Sequence, residues 1–122
     1  MKANSYKDLL VWQKSMDLVV SVYAYVNDFP QSELYGLASQ MKRCAVSIPS
    51  NIAEGKKRTT KKDYLSFLII AFSSGAELET QVEISKRLNF GNNEKRLKLE
   101  KQLEEVMRML NSFISKLRNN GE

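Results

Sequence analysis

The 122-residue sequence contains no histidine, one cysteine, two prolines and five glycines. Without histidine, one chain cannot supply a Ser-His-Asp triad, a zinc-imidazole site, the Glu-x-x-His ligands of a di-iron bundle or an imidazole pH switch. With Cys44 as the single thiol there is no internal disulfide, which suits a reducing compartment. Apolar residues make up 43% and charged residues 27%, so the composition is neither disordered nor fibrous. Long hydrophobic runs are also missing. The longest nearly apolar stretch, Leu65 to Phe72, falls far short of the ~20 residues that span a bilayer. The first ten residues, MKANSYKDLL, lack the apolar core of a signal peptide. These features predict one compact domain over residues 1–122, cytoplasmic and without a membrane partner.

What is present is unevenly charged. Lys and Arg number 19 against 14 Asp and Glu, a net +5. Residues 56–62 read KKRTTKK, with five cations and no anion, and the rest of the chain balances 14 cations with 14 anions. The whole excess therefore lies in seven residues. A focused cluster makes a local field that attracts polyanions, whereas a dispersed charge does not. The plainer reading is a solvated loop whose lysines aid solubility.

Turn signals at Phe29-Pro30-Gln31-Ser32, at Gly55 with the basic run, and at Phe90-Gly91-Asn92-Asn93 divide the chain into four segments. Within each, apolar residues recur at the helical period, predicting helices over about 8–28, 33–54, 61–89 and 94–119. The expected stripes are Trp12, Met16, Val19, Tyr23 and Val26; Leu34, Leu37, Met41, Ala45, Ile48 and Ile52; Tyr64, Leu68, Ala71, Gly75, Leu78 and Val82; and Leu99, Leu103, Val106, Leu110, Phe113 and Leu117. Four long helices with short connections predict an all-α, antiparallel up-and-down four-helix bundle. Pro49 removes a backbone donor and clashes with the Ala45 carbonyl, so the second helix is expected to be kinked or interrupted there. Thr60 with Asp63 resembles a capping box, Gly91 suits a left-handed position after the third helix, and Asn93 suits the cap of the fourth. The run LSFLIIAF, and Leu18, Val20, Val22 and Tyr25 beside the first stripe, are more apolar than one core requires. A second buried face, against another copy of the chain, accounts for them.

The basic run crosses the predicted start of the third helix. A helix N-terminus carries about half a positive charge and free N–H groups, and acids are favoured there. Lys61 and Lys62 oppose that dipole, with Asp63 alone offsetting them. Lys56, Lys57, Arg58, Lys61 and Lys62 with the helix end are the candidate anion-binding residues, for nucleic acid or for an acidic protein. Other chemistry is thinner. Glu79 and Glu83 share a helix face and suit a divalent ion, but such pairs are commonly solvated or matched by a base such as Lys86 or Arg87. Glu79 and Gln81 also suit buried ties to Arg43 or Asn51. Lys42 and Arg43 beside Cys44 suggest a lowered thiol pKa, yet no base accompanies it, which favours a packed structural thiol. No Gly-rich phosphate loop is present, and neither a cofactor, a catalytic residue nor a small-molecule substrate is expected. Trp12, on the first stripe, is assigned to core or interface rather than to stacking.

Several strings occur together in order: Leu10-Val11-Trp12-Gln13-Lys14, Leu34-Tyr35-Gly36-Leu37, Ser39-Gln40-Met41-Lys42-Arg43, Val46-Ser47-Ile48-Pro49-Ser50-Asn51-Ile52-Ala53-Glu54-Gly55 and Glu77-Leu78-Glu79-Thr80-Gln81. Over about residues 6–118 the chain resembles the small four-helix-bundle proteins encoded in intervening sequences of bacterial 23S rRNA genes. The resemblance implies a left-handed bundle and a ring-like homopentamer. It also implies kinship with the accessory variability protein of diversity-generating retroelements, a pentameric barrel with a basic surface for nucleic acid and a reverse transcriptase. It brings no catalytic residues. After Glu54-Gly55 this chain is more basic than the family pattern, which favours an anionic partner. The expectation is a non-enzymatic homo-oligomer that binds nucleic acid, RNA ahead of DNA, through residues 56–62. The alternative is a scaffold whose basic rim meets an acidic protein.

Overall fold

The structure, a computed structural model, describes residues 5–119. A 3-10 turn at Tyr6–Asp8 leads into α1 (Leu10–Val26); a second at Gln31–Glu33 precedes α2 (Leu37–Lys56); α3 (Lys61–Arg87) and α4 (Asn93–Asn119) follow. No strand occurs among the described residues. The helices form an antiparallel up-and-down bundle in which each packs on its chain neighbours and α4 closes on α1. Among the described residues the diagonal pairs, α1 with α3 and α2 with α4, make no close backbone contact.

Local chemistry sets the boundaries. The α2 start has no side-chain cap at Gly36, and the Glu33 carboxylate accepts the Leu37 N–H instead at 3.1 Å. That tie holds residues 31–36 outside the helix, so α2 begins four residues later than the apolar spacing suggests. Thr60 Oγ1 accepts the Asp63 N–H at 3.1 Å, which supplies the forward half of the expected capping box. The α4 cap is Asn92, whose Oδ1 accepts the Lys95 N–H at 2.9 Å; Asn93 is already helical and accepts from Arg96. After α3, Phe90 N–H bonds the Ser85 carbonyl at 2.9 Å and Asn89 N–H bonds Lys86 at 3.1 Å. This is a Schellman closure, and Asn89, with φ of 58°, takes the left-handed place expected of Gly91. Gly91 is left-handed as well, at φ of 80°, and lies beneath the rings of Tyr25 and Phe29, where a Cβ would collide with Tyr25.

Helix α2 runs uninterrupted through Pro49. One lost hydrogen bond is outweighed by what flanks it. Ile48 and Ile52 are fully buried, Ser47 Oγ meets Ser74 Oγ of α3 at 2.8 Å, and Asn51 Nδ2 donates to the Ser47 carbonyl at 2.8 Å.

Leu68, Ala71, Gly75, Leu78 and Val82 of α3 and Leu99, Leu103, Val106 and Leu110 of α4 fill the core as their spacing predicts. Phe113 and Leu117 pack at its edge, and Ile114 takes the buried place. Helix α1 differs. Its core face is Val11, Ser15, Leu18, Val22, Tyr25 and Val26. The Trp12–Met16–Val19–Tyr23 stripe turns instead to the outer groove between α1 and α2. Both stripes obey the helical period, and only packing selects between them. Of the surplus apolar residues, Leu18, Val22, Tyr25, Leu68 and Ala71 are absorbed in this chain's own core, whereas Val20, Ile69 and Ile70 remain exposed, as do Tyr23 and Ile84.

Candidate functional site

The antiparallel order brings the start of α1, the end of α2, the start of α3 and the end of α4 to one end of the bundle. The edge-to-face contact of Tyr64 with Phe113, centroids 5.6 Å apart, fixes α3 against α4 there. Gly55 brings α2 close to α3, because a Cβ at that position would lie 2.9 Å from the Phe67 Cβ. The connection is therefore four residues, Lys57 to Thr60, drawn tightly over this end. Tyr64 is partly buried beneath it, and burial pushes its phenol pKa up.

The five candidate cations share this end but are not equivalent. Lys56 closes α2 and is half-buried. Lys57 is exposed, with Nζ 5.6 Å from the Tyr6 ring centroid. Arg58 reaches back one turn to Glu54, Nη2 to Oε2 at 2.7 Å, and lies 4.7 Å over the Phe67 ring. Lys61 opens α3 half-buried, and Lys62 beside it is exposed. Glu54 lies outside the anion-free run, yet the i,i+4 helical spacing brings it onto Arg58. An exposed pair of this kind is worth ~0.3–0.5 kcal/mol, so it neutralises Arg58 while formed but yields readily to a competing anion.

Sequence reasoning missed the cations that come from elsewhere in the chain. Lys7 lies in the 3-10 turn before α1, and Lys116 and Arg118 lie in the last turn of α4. An apolar groove between Leu9, Leu10 and Val11 and the α4 row Arg108, Ser112 and Lys116 ties these two segments together. Their only sequence signal was the alternating direction of four helices, which places the two chain-end helices beside the α2–α3 connection. Among the described residues, Asp8, Glu54 and Asp63 are anions near this end in these elements.

The other candidates separate from this end. Among the described residues no group of three or more His, Cys, Asp and Glu side chains could hold a metal. Glu83 accepts from Arg87 Nε at 3.0 Å. That bond, with the charges of Lys86, Arg87 and Arg96, holds its carboxyl below the usual range. Glu79 is exposed rather than a buried tie. Gln81 is buried but finds neither Arg43, which is exposed, nor Asn51, which is engaged by Ser47; its Oε1 has no partner. The Cys44 thiol is not lowered. Burial first, then the carboxylate of Glu77, raises its pKa from 9.0 to about 11, against an opposing hydrogen bond from Gln81. The adjacent cations do not reach it: Lys42 lies over the Tyr23 ring at 5.1 Å and Arg43 points to solvent. No helix among the described residues is long and apolar enough to cross a membrane.

The fold is shared with a solved protein. The crystal structure of a protein of unknown function from the S23 ribosomal protein family of Bacteroides thetaiotaomicron VPI-5482 is similar, with a TM-score of 0.77 and 23% identity. The alignment covers 86% of this chain and 98% of that one. No curated protein matches the sequence. Residues 7–112 match the 23S rRNA-intervening sequence protein family over most of the helical bundle, and the chain belongs to that family.

Proposed function

We propose that this protein is a non-enzymatic, homo-oligomeric bundle of the cytoplasm that binds nucleic acid through its cationic end, RNA in preference to DNA. The observation that carries the reading is the placement of charge. A chain balanced elsewhere concentrates its excess at residues 56–62, on a rigid junction of two long helices. Contacts of this kind go to phosphates, so binding is largely independent of sequence. Membership of a family named for 23S rRNA intervening sequences supports RNA as the polymer.

The outward apolar residues support self-association. Val20 and Tyr23 on α1, 69% and 44% exposed, and Ile69, Ile70 and Ile84 on α3 lie on different faces. A contact between two different faces is heterologous and forms a ring where its rotation closes; the proposed ring has five members, the count the family resemblance implies. Such a ring repeats the cationic end and multiplies its effect by avidity.

Affinity for a generic RNA, measured at several salt concentrations, tests the electrostatic claim. If all five cations engage, log affinity falls against log salt with a slope of about −3.5 to −4.5 per subunit. Changing Lys56, Lys57, Arg58, Lys61 and Lys62 together to Gln abolishes binding and leaves helicity intact. A flat salt response, or full binding by that variant, overturns the proposal. A monomeric mass by light scattering at micromolar concentration overturns the oligomer.

A further inference from the structure

We infer that the outer groove between α1 and α2 is a cleft for an unpaired base of a single-stranded nucleic acid, with Trp12 as its stacking face; this rests on the proposed function and names the form of the polymer. The groove has a volume of about 340 Å³ and is walled by Tyr6, Trp12 and Met16 on one side and Pro49, Ser50 and Ala53 on the other. It exists because α1 carries two apolar stripes and the core accepts only one. The rings of Tyr6 and Trp12 meet edge to face, 5.2 Å apart at 66°, which holds the indole in place. Lys57, a member of the basic run, sits over Tyr6 at the mouth of the same groove.

An aromatic, apolar slot beside a row of cations matches a polymer that alternates flat bases with anionic links. Proteins that bind single strands combine these two features, stacking bases on aromatic faces while lysines follow the backbone. A duplex keeps its bases stacked inside and offers the slot nothing. Lys57 over Tyr6 gives the slot a cation that an anionic strand complements and an apolar face of a second copy does not. Charge thus favours a polyanion over self-docking here. The exposed Ser50 hydroxyl supplies a donor and acceptor for a base edge.

Trp12 is the only tryptophan, so intrinsic fluorescence reports this cleft alone. The probe is a single-stranded oligoribonucleotide of roughly 12 nucleotides, compared with a duplex of equal length. The single strand quenches Trp12 and binds about ten-fold tighter than the duplex at matched salt. Trp12→Leu weakens single-strand binding about ten-fold and narrows the gap to the duplex, whereas Trp12→Phe, which keeps an aromatic face, retains most of it. Circular dichroism confirms that both variants are folded. Equal affinity for single strand and duplex, insensitive to Trp12→Leu, overturns the cleft and leaves the cationic-end reading standing. Absence of binding to either RNA by the unsubstituted protein overturns both. A Trp12 signal that follows protein concentration rather than RNA shows a second copy in the groove, and also overturns the inference.

Discussion

The Tyr25 hydroxyl lies 2.7 Å from Ser85 Oγ and 3.1 Å from the carbonyl oxygen of Phe90, to which it donates. A fully buried phenol on α1 thereby satisfies the turn between α3 and α4. Removing the hydroxyl leaves the part-buried Phe90 carbonyl without this donor, while Ser85 keeps its bond to the Val82 carbonyl at 2.7 Å. Tyr25→Phe is expected to lower stability by about 1–2 kcal/mol, seen as a lower urea midpoint at unchanged slope. No change would mean that this chain of hydrogen bonds contributes nothing net.

Gly91 packs against the same ring. Its φ is left-handed and a side chain there would overlap Tyr25, so Gly91→Ala carries both a backbone and a steric cost. The expected loss is about 2–4 kcal/mol by denaturant unfolding. Asn89, left-handed and exposed, gives the contrast: Asn89→Gly is neutral to slightly stabilising.

Cys44 is 8% exposed, and its thiol is held protonated well above neutrality. Thiol reagents at pH 8 should label it slowly in the folded protein and readily in urea. The raised pKa also fixes a direction for stability. The unfolded chain loses this proton near pH 9 while the folded chain keeps it to about pH 11, so the contribution is intact below pH 9 and lost between the two. Cys44→Ala should therefore flatten the fall in stability across that window relative to the parent. Parallel pH profiles would show that the thiol plays no part.

Glu54 holds Arg58 of the basic run in an ion pair. Glu54→Gln releases Arg58 and deletes a negative charge from the cationic end. RNA affinity should rise roughly three-fold at low salt, measured by fluorescence anisotropy, and the gain should shrink as salt increases. A weaker complex would place Glu54 in an essential positioning role.

The helix count, the turns and the core seams of α3 and α4 could be read from the chain because each of those helices has one dominant apolar stripe. On α1 two stripes lie about a quarter-turn apart, and periodicity alone cannot rank them; contact with α2 and α4 does. The α4 cap was misplaced by one position because Asn92 and Asn93 are adjacent and equally suited to it. The environment of Cys44 was misjudged from its neighbours in sequence, whose side chains leave the core while the thiol enters it. The basic run was visible as composition. Its internal inequality, with Arg58 paired and Lys57 on an aromatic ring, depends on helical spacing and on a turn fifty residues earlier. Lys116 and Arg118 join that end only once the helices are given directions.

The succession of the four helices around the bundle also bears on how the chain folds. Three of the four helix–helix interfaces join consecutive elements, so hairpin formation can proceed with short loops closed. Only the docking of α4 on α1 brings distant segments together, and the entropic penalty of loop closure is concentrated in that step. Such a wiring belongs with rapid folders, relaxing on the order of microseconds to milliseconds.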